Sequence, residues 1–309
     1  MIEVKDLVKR YGKNVAIDGI SFSASEGEIV GLLGPNGAGK STAMNIITGY
    51  ISSDSGTVRV DGSDILDEPD KVKRLIGYLP EIPPLYVDMT VREYMDFVYD
   101  LKGCTLPRGP HLDEIATVTK TREVQHRLIA NLSKGYRQRV GIASALVGDP
   151  KVLIFDEPTV GLDPGQIIET RALIRRLGRR HTVILSTHIL SEVQAVCDRI
   201  VIIDRGRIIA NEKTADITSA VNRSRRYAVK VCGATGAVLN MLRAVDGVSG
   251  AEVTGERDLD SYVYIVESEK GRDVRKAIFA ACAERGFALI GMEPSGMSLE
   301  EVFIKLTEK

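Results

Sequence analysis

GPNGAGKST, residues 34–42, is the stretch on which the reading of this chain turns. Gly34, Gly37 and Gly39 let the backbone turn tightly, so that successive amides and the N-terminus of a following helix can face a phosphate chain. Pro35, Asn36 and Ala38 complete the loop, and Lys40 supplies a point charge to β- and γ-phosphates. Ser41 places a hydroxyl where Mg²⁺ needs an oxygen ligand, and Thr42 closes the motif. The apolar run Ile29 to Leu33 provides the strand that should precede such a loop. Well downstream, a second apolar strand, VLIF at 152–155, runs straight into Asp156 and Glu157. At the end of a buried strand, Asp156 would hold the Mg²⁺ shell and Glu157 would polarise the water that attacks a γ-phosphate. Phosphoryl transfer asks mostly for such positioning and charge compensation, and the two motifs together imply ATP binding and hydrolysis.

A length of 309 residues suggests two domains, and 44% hydrophobic residues suffice to build their cores. The net charge of −1 gives no electrostatic footprint for non-specific nucleic-acid binding, and no nucleic acid is expected as a partner. Arg171, Arg175, Arg176, Arg179 and Arg180 fall at helical spacing and read as a solvated helix face. No stretch approaches ~20 consecutive apolar residues, and the opening MIEVKDLVKRYG carries charge where a signal peptide needs an apolar segment, so the cytosol is the expected location. Cys104, Cys197, Cys232 and Cys282 form no CxxC pair and read as reduced packing residues, with no structural metal expected.

Apolar or β-branched runs at 2–7, 16–23 and 29–33 read as strands, the loop leads into a helix to about Thr48, and 57–65 reads as a strand and turn. Residues 91–101 and 137–147 show helical periodicity, implying a helical insertion between sheet regions. VLIF and TVILST at 182–187 are the apolar strands of a parallel sheet, joined by a helical crossover between Gln166 and Arg180, so the core is α/β. This first domain is set at 1–210, a linker containing NRSRR at 211–226, and a second domain at 227–309. The second domain reads strand (227–232), helix (237–245), strand (251–254), strand (262–267), helix (274–285), strand (288–292), which is the ferredoxin-like order. Ser298 and Glu301 have the spacing of a capping box for a closing helix, SLEEVFIKL.

LSKGYRQRV, residues 132–140, precedes the strand carrying Asp156; its Ser133 and Gly135 stand where the chain turns into a helix, either as a plain cap or as a turn presenting a hydroxyl and amides to an anion. Lying between the phosphate loop and DEP, it resembles the signature motif of the ATP-binding subunits of ABC transporters. The resemblance covers Met1 to about Ile208: Tyr11 matches the aromatic that stacks on adenine, GPNGAGKST and VLIFDEP match both Walker motifs, Asp163 ends a D-loop-like VGLD, and His188 in STH matches the switch histidine. It implies a P-loop ABC ATPase core with antiparallel β and helical subdomains, followed by the small ferredoxin-like α+β domain. It further implies a head-to-tail homodimer in which Ser133 and Gly135 of one copy contact the γ-phosphate held by the other, His188 holds that phosphate and the attacking water, and Asp163 couples the sites.

Glu81 occupies the position of the family's Q-loop Gln, where a carboxylate can still ligate Mg²⁺, and Lys134 and Tyr136 replace the first Gly and last Gln of the signature. These variants resemble the branch of exporters related to drug-efflux and gliding-motility ATPases. That branch pairs its ATPase with a separate integral membrane permease, which would hold this chain at the inner face of the membrane. Leu79, Ile82, Leu85, Tyr86 and Met89 read either as packing of a helical subdomain or as a groove for a short helix of that permease. The competing functions are a soluble ABC ATPase acting on nucleic acid or ribosomes, and a regulatory module whose C-terminal domain binds a ligand.

Overall fold

The computed structural model describes residues 1–215, 226–258, 260–269 and 272–295. The first compact unit runs from Met1 to Thr214. Its centre is a six-stranded sheet of β3 (Ile29–Leu33), β6 (Ile76–Leu79), β7 (Val152–Asp156), β8 (Thr182–Thr187), β9 (Arg199–Asp204) and β10 (Arg207–Lys213), in the order β10-β9-β3-β8-β7-β6. All pairs are parallel except the β9–β10 hairpin. Every residue of β3, β7 and β8 is buried, which is why these strands are apolar throughout instead of alternating.

An antiparallel sheet orders β1 (Ile2–Tyr11), β2 (Asn14–Ala24), β4 (Ser55–Val60) and β5 (Ser63–Asp64) as β2-β1-β4-β5. Ile17, Ile20 and Phe22 of β2 share one core with Val30 and Leu32 of β3 and with Met44, Ile46 and Ile47 of α1 (Lys40–Ile47). This shared core fixes the loop between β3 and α1 against both sheets. The strand-and-turn expected at 57–65 is a hairpin, because Asp61 at φ 51 and Gly62 at φ 82 form the left-handed pair that a tight two-residue connection requires.

The helical insertion comprises α3 (Val91–Leu101), α4 (Arg108–Val118) and α5 (Lys134–Leu146), with α2 (Pro69–Leu75) before it. Thr90 and Glu93 close a capping box at the start of α3. At its other end the Lys102 ammonium donates to the carbonyls of Ser144, Ala145 and Val147 at 3.0, 3.2 and 3.0 Å, tying α3 to the C-terminus of α5. Burial pushes the Lys102 pKa from 10.5 down to about 8. The folded chain therefore releases this proton near pH 8 while the unfolded chain keeps it to its ordinary range, so the stability contributed by Lys102 is lost as pH falls through about 8 and grows above it. Urea unfolding of the wild type and Lys102→Met between pH 8 and 10 should show the wild-type advantage growing by up to about 1.4 kcal/mol per pH unit. A difference flat in pH would mean that Lys102 titrates as an exposed lysine does.

α6 (Pro164–Leu177) is the expected crossover between β7 and β8, and α7 (Leu190–Val196) leads from β8 to β9. The arginine face of α6 is only partly solvated: Arg176 donates to the Val118 carbonyl, and Arg171 lies 3.6 Å from the buried Glu192. Leu79 is buried rather than lining a surface groove, whereas Ile82, Tyr86 and Val87 are exposed. The first domain also runs past the expected boundary at 210, because Asn211, Glu212 and Lys213 pair with Val201, Ile200 and Arg199.

The second unit holds β11 (Arg226–Cys232), α8 (Thr235–Arg243), β12 (Val248–Asp258), β13 (Ser261–Ser268), α9 (Arg275–Glu284) and β14 (Ala288–Pro294). Its antiparallel sheet has the order β12-β13-β11-β14, the ferredoxin-like topology. Tyr227, Val229 and Val231 alternate inward along β11 onto Val238, Leu242 and Ile278 of the two helices. The closing helix expected from Ser298 lies outside the described residues.

Candidate active site

β3 ends at Leu33, and residues 34–39 turn the chain into α1. Gly37 at φ 81 and Gly39 at φ 107 adopt left-handed backbone that side chains disfavour. The loop is also wedged: a Cβ on Gly34 would lie 2.2 Å from the Ile203 carbonyl oxygen, and one on Gly39 would lie 2.5 Å from that of Ala16. At Gly37 the same atom would meet nothing within 4 Å, so the tip of the loop faces open space. That open cradle, heading a helix, fits a phosphate chain.

Lys40 opens α1 with only 6% of its surface exposed. Its ammonium donates to the carbonyls of Gly34 at 2.7 Å and Pro35 at 3.2 Å, and stands 3.9 Å from the Glu157 carboxylate. Burial lowers the Lys40 pKa, opposed by the negative charges of Glu157, Asp156 and Glu81.

The opposite wall comes from the ends of β7 and β8. Asp156 closes β7, where its carboxylate accepts from the Ser186 hydroxyl. Glu157 then kinks to φ 48, held by its own amide donating to the Ser186 carbonyl and hydroxyl, both at 3.1 Å. His188 follows β8, and its Nδ1 lies 3.0 Å from both Glu157 oxygens. An ionised carboxylate only accepts, so Nδ1 is the donor of this pair, and Nε2 takes no part in it. Carboxylate, imidazole and ammonium thus converge on one point, with Ser41 and Glu81 at its edge.

A cleft of about 680 Å³ gathers Tyr11, Asn36, Gly37, Gly39, Lys40, Ser41, Thr42, Glu81, Glu157 and His188 from the sequence expectations. Gly34, Pro35 and Ala38 complete the loop without lining the cleft, and the buried Asp156 stands one residue behind Glu157. Sequence reasoning missed Asn14, Val15, Ala16, Val160, Arg205 and Gly206 in the same walls. Gly206 is the one among these that a turn signal announces, because the Arg205–Gly206 turn of the β9–β10 hairpin bonds back to the loop through its amide and the Ala38 carbonyl at 2.9 Å. Half-exposed Tyr11 and Val15 offer an apolar mouth suited to a flat base.

Ser133, Gly135 and Asp163 do not line this cleft. The Ser133 hydroxyl caps α5 by accepting from the Tyr136 amide at 3.3 Å, and Asp163 caps α6 by accepting from the Gln166 amide at 3.0 Å. Gly135 abuts Gln166 so closely that a Cβ would fall 2.5 Å from that side chain, so the two capped helix starts form one continuous surface.

Among the described residues, no group of three His, Cys, Asp or Glu is placed to hold a metal by itself. Ser41 and Glu81 at the edge of the cleft and the buried Asp156 behind Glu157 carry hard oxygens around Lys40, a donor chemistry that fits Mg²⁺ shared with phosphate oxygens.

The family model described as "ABC transporter" matches residues 17–160. The chain is 34% identical over 313 residues to the linearmycin resistance ATP-binding protein LnrL of Bacillus subtilis, covering 99% of this chain and 98% of that one. It is 30% identical over 309 residues to the bacitracin transport ATP-binding protein BcrA of Bacillus licheniformis, covering 99% and 97%. A solved bacterial ABC transporter cassette, described as dimeric, superposes with TM-score 0.64 at 27% identity over 69% of this chain and 99% of that one.

Proposed function

The chain belongs to the ABC transporter family as an ATP-binding, ATP-hydrolysing subunit that powers transport, and from that premise we propose that two copies dock head to tail to close two ATP sites and drive a separate permease, in the direction of export. One observation carries the dimer: the cleft gathers the phosphate loop, Glu157 and His188, while Ser133, Gly135 and Asp163 lie on a different surface. A second copy turned head to tail would bring that surface over the first copy's cleft, and a solved relative of the cassette is dimeric.

Each residue then has a task. Tyr11 stacks on the base, the amides of 36–39 and the Lys40 ammonium bind the phosphates, and the partner copy's signature turn seals them from water. Ser41, Asp156 and Glu81 would hold Mg²⁺, which would supply charge compensation to the phosphates. Glu157 takes a proton from the attacking water as its oxygen bonds to the γ-phosphorus and the bond to the ADP oxygen breaks. His188, its Nδ1–H committed to Glu157, turns Nε2 toward the same water. Asp163 sits beside the signature turn, where a change in one site reaches the other.

Among the described residues no helix is long and apolar enough to cross a membrane, so the permeation path falls to the permease. Exposed Ile82, Tyr86 and Val87, next to Glu81, are the surface we assign to it. The matched proteins are named for resistance and transport, which weighs toward export and against action on nucleic acid or ribosomes. Tagged Glu157→Gln chain, held with ATP, should capture a polytopic membrane protein from mildly solubilised membranes, and release it when ATP is withheld. Recovery of ribosomal or DNA-associated proteins instead would overturn the transport reading.

A further inference from the structure

Behind the site lies a buried carboxylate with no part in the chemistry described so far. Glu192, in the first turn of α7, is 2% exposed. Its Oε1 accepts from the Thr159 hydroxyl at 2.5 Å and its Oε2 from the Thr187 hydroxyl at 2.9 Å. The Arg171 guanidinium, from α6, lies 3.6 Å from Oε1 and balances the charge. Burying a carboxylate costs several kcal/mol unless it is paired and hydrogen-bonded, so the network holds only in one arrangement of its partners.

Those partners are the residues that set the site. Thr159 is two positions beyond Glu157, and Thr187 immediately precedes His188. The Thr187 hydroxyl also accepts from the Ile189 amide at 3.0 Å, so both neighbours of His188 in the chain are held to the same point. Ser186 already bridges the two strand ends through Asp156 and the Glu157 amide. Glu192 supplies the second bridge, just beyond Asp156 and Ser186, the last residues at which β7 and β8 pair.

We propose that Glu192 is a positioning residue for hydrolysis: by clasping Thr159 and Thr187 it fixes the distance between Glu157 and His188, and so acts on turnover through His188 without touching ATP. The proposal rests on the roles given to Glu157 and His188 above. A residue of this kind should change kcat and leave KM nearly still, because the phosphate loop lies on the other wall.

Steady-state phosphate release by the full-length chain is measured for wild type, Glu192→Gln, His188→Ala and the double variant, with equilibrium ATP binding and thermal midpoint alongside. Gln keeps the shape and one acceptor but loses the charge and the symmetric clasp. Glu192→Gln is expected to lower kcat by about tenfold with KM and ATP binding within about twofold, and the double variant is expected to match His188→Ala within about twofold. Unchanged kcat in Glu192→Gln, or losses that multiply in the double variant, would overturn the proposal, as would KM and ATP binding moving together with kcat. Wild-type turnover in His188→Ala would instead show that the assignment of His188 itself is wrong. Should Glu192→Gln not fold, Thr187→Val cuts one arm of the clasp and is put through the same pairing with His188→Ala, with the same outcomes deciding.

Discussion

Glu157→Gln is expected to lower steady-state phosphate release by about 10²- to 10³-fold while ATP affinity stays within a few-fold of wild type, the size of effect that loss of a positioned general base produces. The amide has nearly the shape of the carboxylate and keeps an oxygen to accept from His188 Nδ1, so the wall of the cleft should stand. What disappears is the charge that, on the proposed mechanism, takes the proton from water and that stands 3.9 Å from the Lys40 ammonium. Relieved of that partner, Lys40 is freer to turn wholly to a phosphate, so binding does not weaken. ATP that binds and is not cleaved should then hold the two copies together, and size-exclusion chromatography with ATP should show dimer accumulating in this variant above wild type. Turnover near that of the wild type would remove Glu157 from the catalytic role.

Lys40→Met should strike the other quantity. A hydrogen bond to a charged group is worth about 1.5–3 kcal/mol, and an ammonium serving two phosphates makes at least two, so ATP affinity should fall by roughly 10²- to 10⁴-fold by calorimetric titration. The fold should suffer less, although the variant leaves the Gly34 and Pro35 carbonyls without their present donor. Measured side by side, one variant binds without hydrolysing and the other scarcely binds. An unaltered dissociation constant in Lys40→Met would mean that the loop is not where the phosphates sit.

The phosphate loop, the strands around it and the acidic pair at 156–157 were legible because each is a local demand of chain geometry: bare turns, a buried strand before a helix, a carboxylate at a strand end. The ferredoxin-like order of the second unit was legible for the same reason, as short alternating strands and two helices. Helix α4 escaped because Gly109 and Pro110 sit inside it and its apolar residues follow no clear stripe. Four-residue β6 escaped because it is an edge strand too short to show a period. In the site, Val15 and Arg205 reach the cleft from hairpins far apart in sequence, and no spacing rule links them to residue 40. Glu192 was illegible in a different way, because an acidic residue near a helix start is ordinary until the fold seals it in with two threonines.

Glu157 at φ 48 sets selection for persistence against selection for work. A long side chain in left-handed backbone carries about 1–2 kcal/mol of conformational penalty that glycine would not. Mutational drift unrelieved by any need to cleave ATP should therefore erode this position early, yielding lineages that outlast their ancestor on heating yet have stopped turning over. The carboxylate to which catalysis is assigned marks the place where the chain would forgo some of its own durability in order to act.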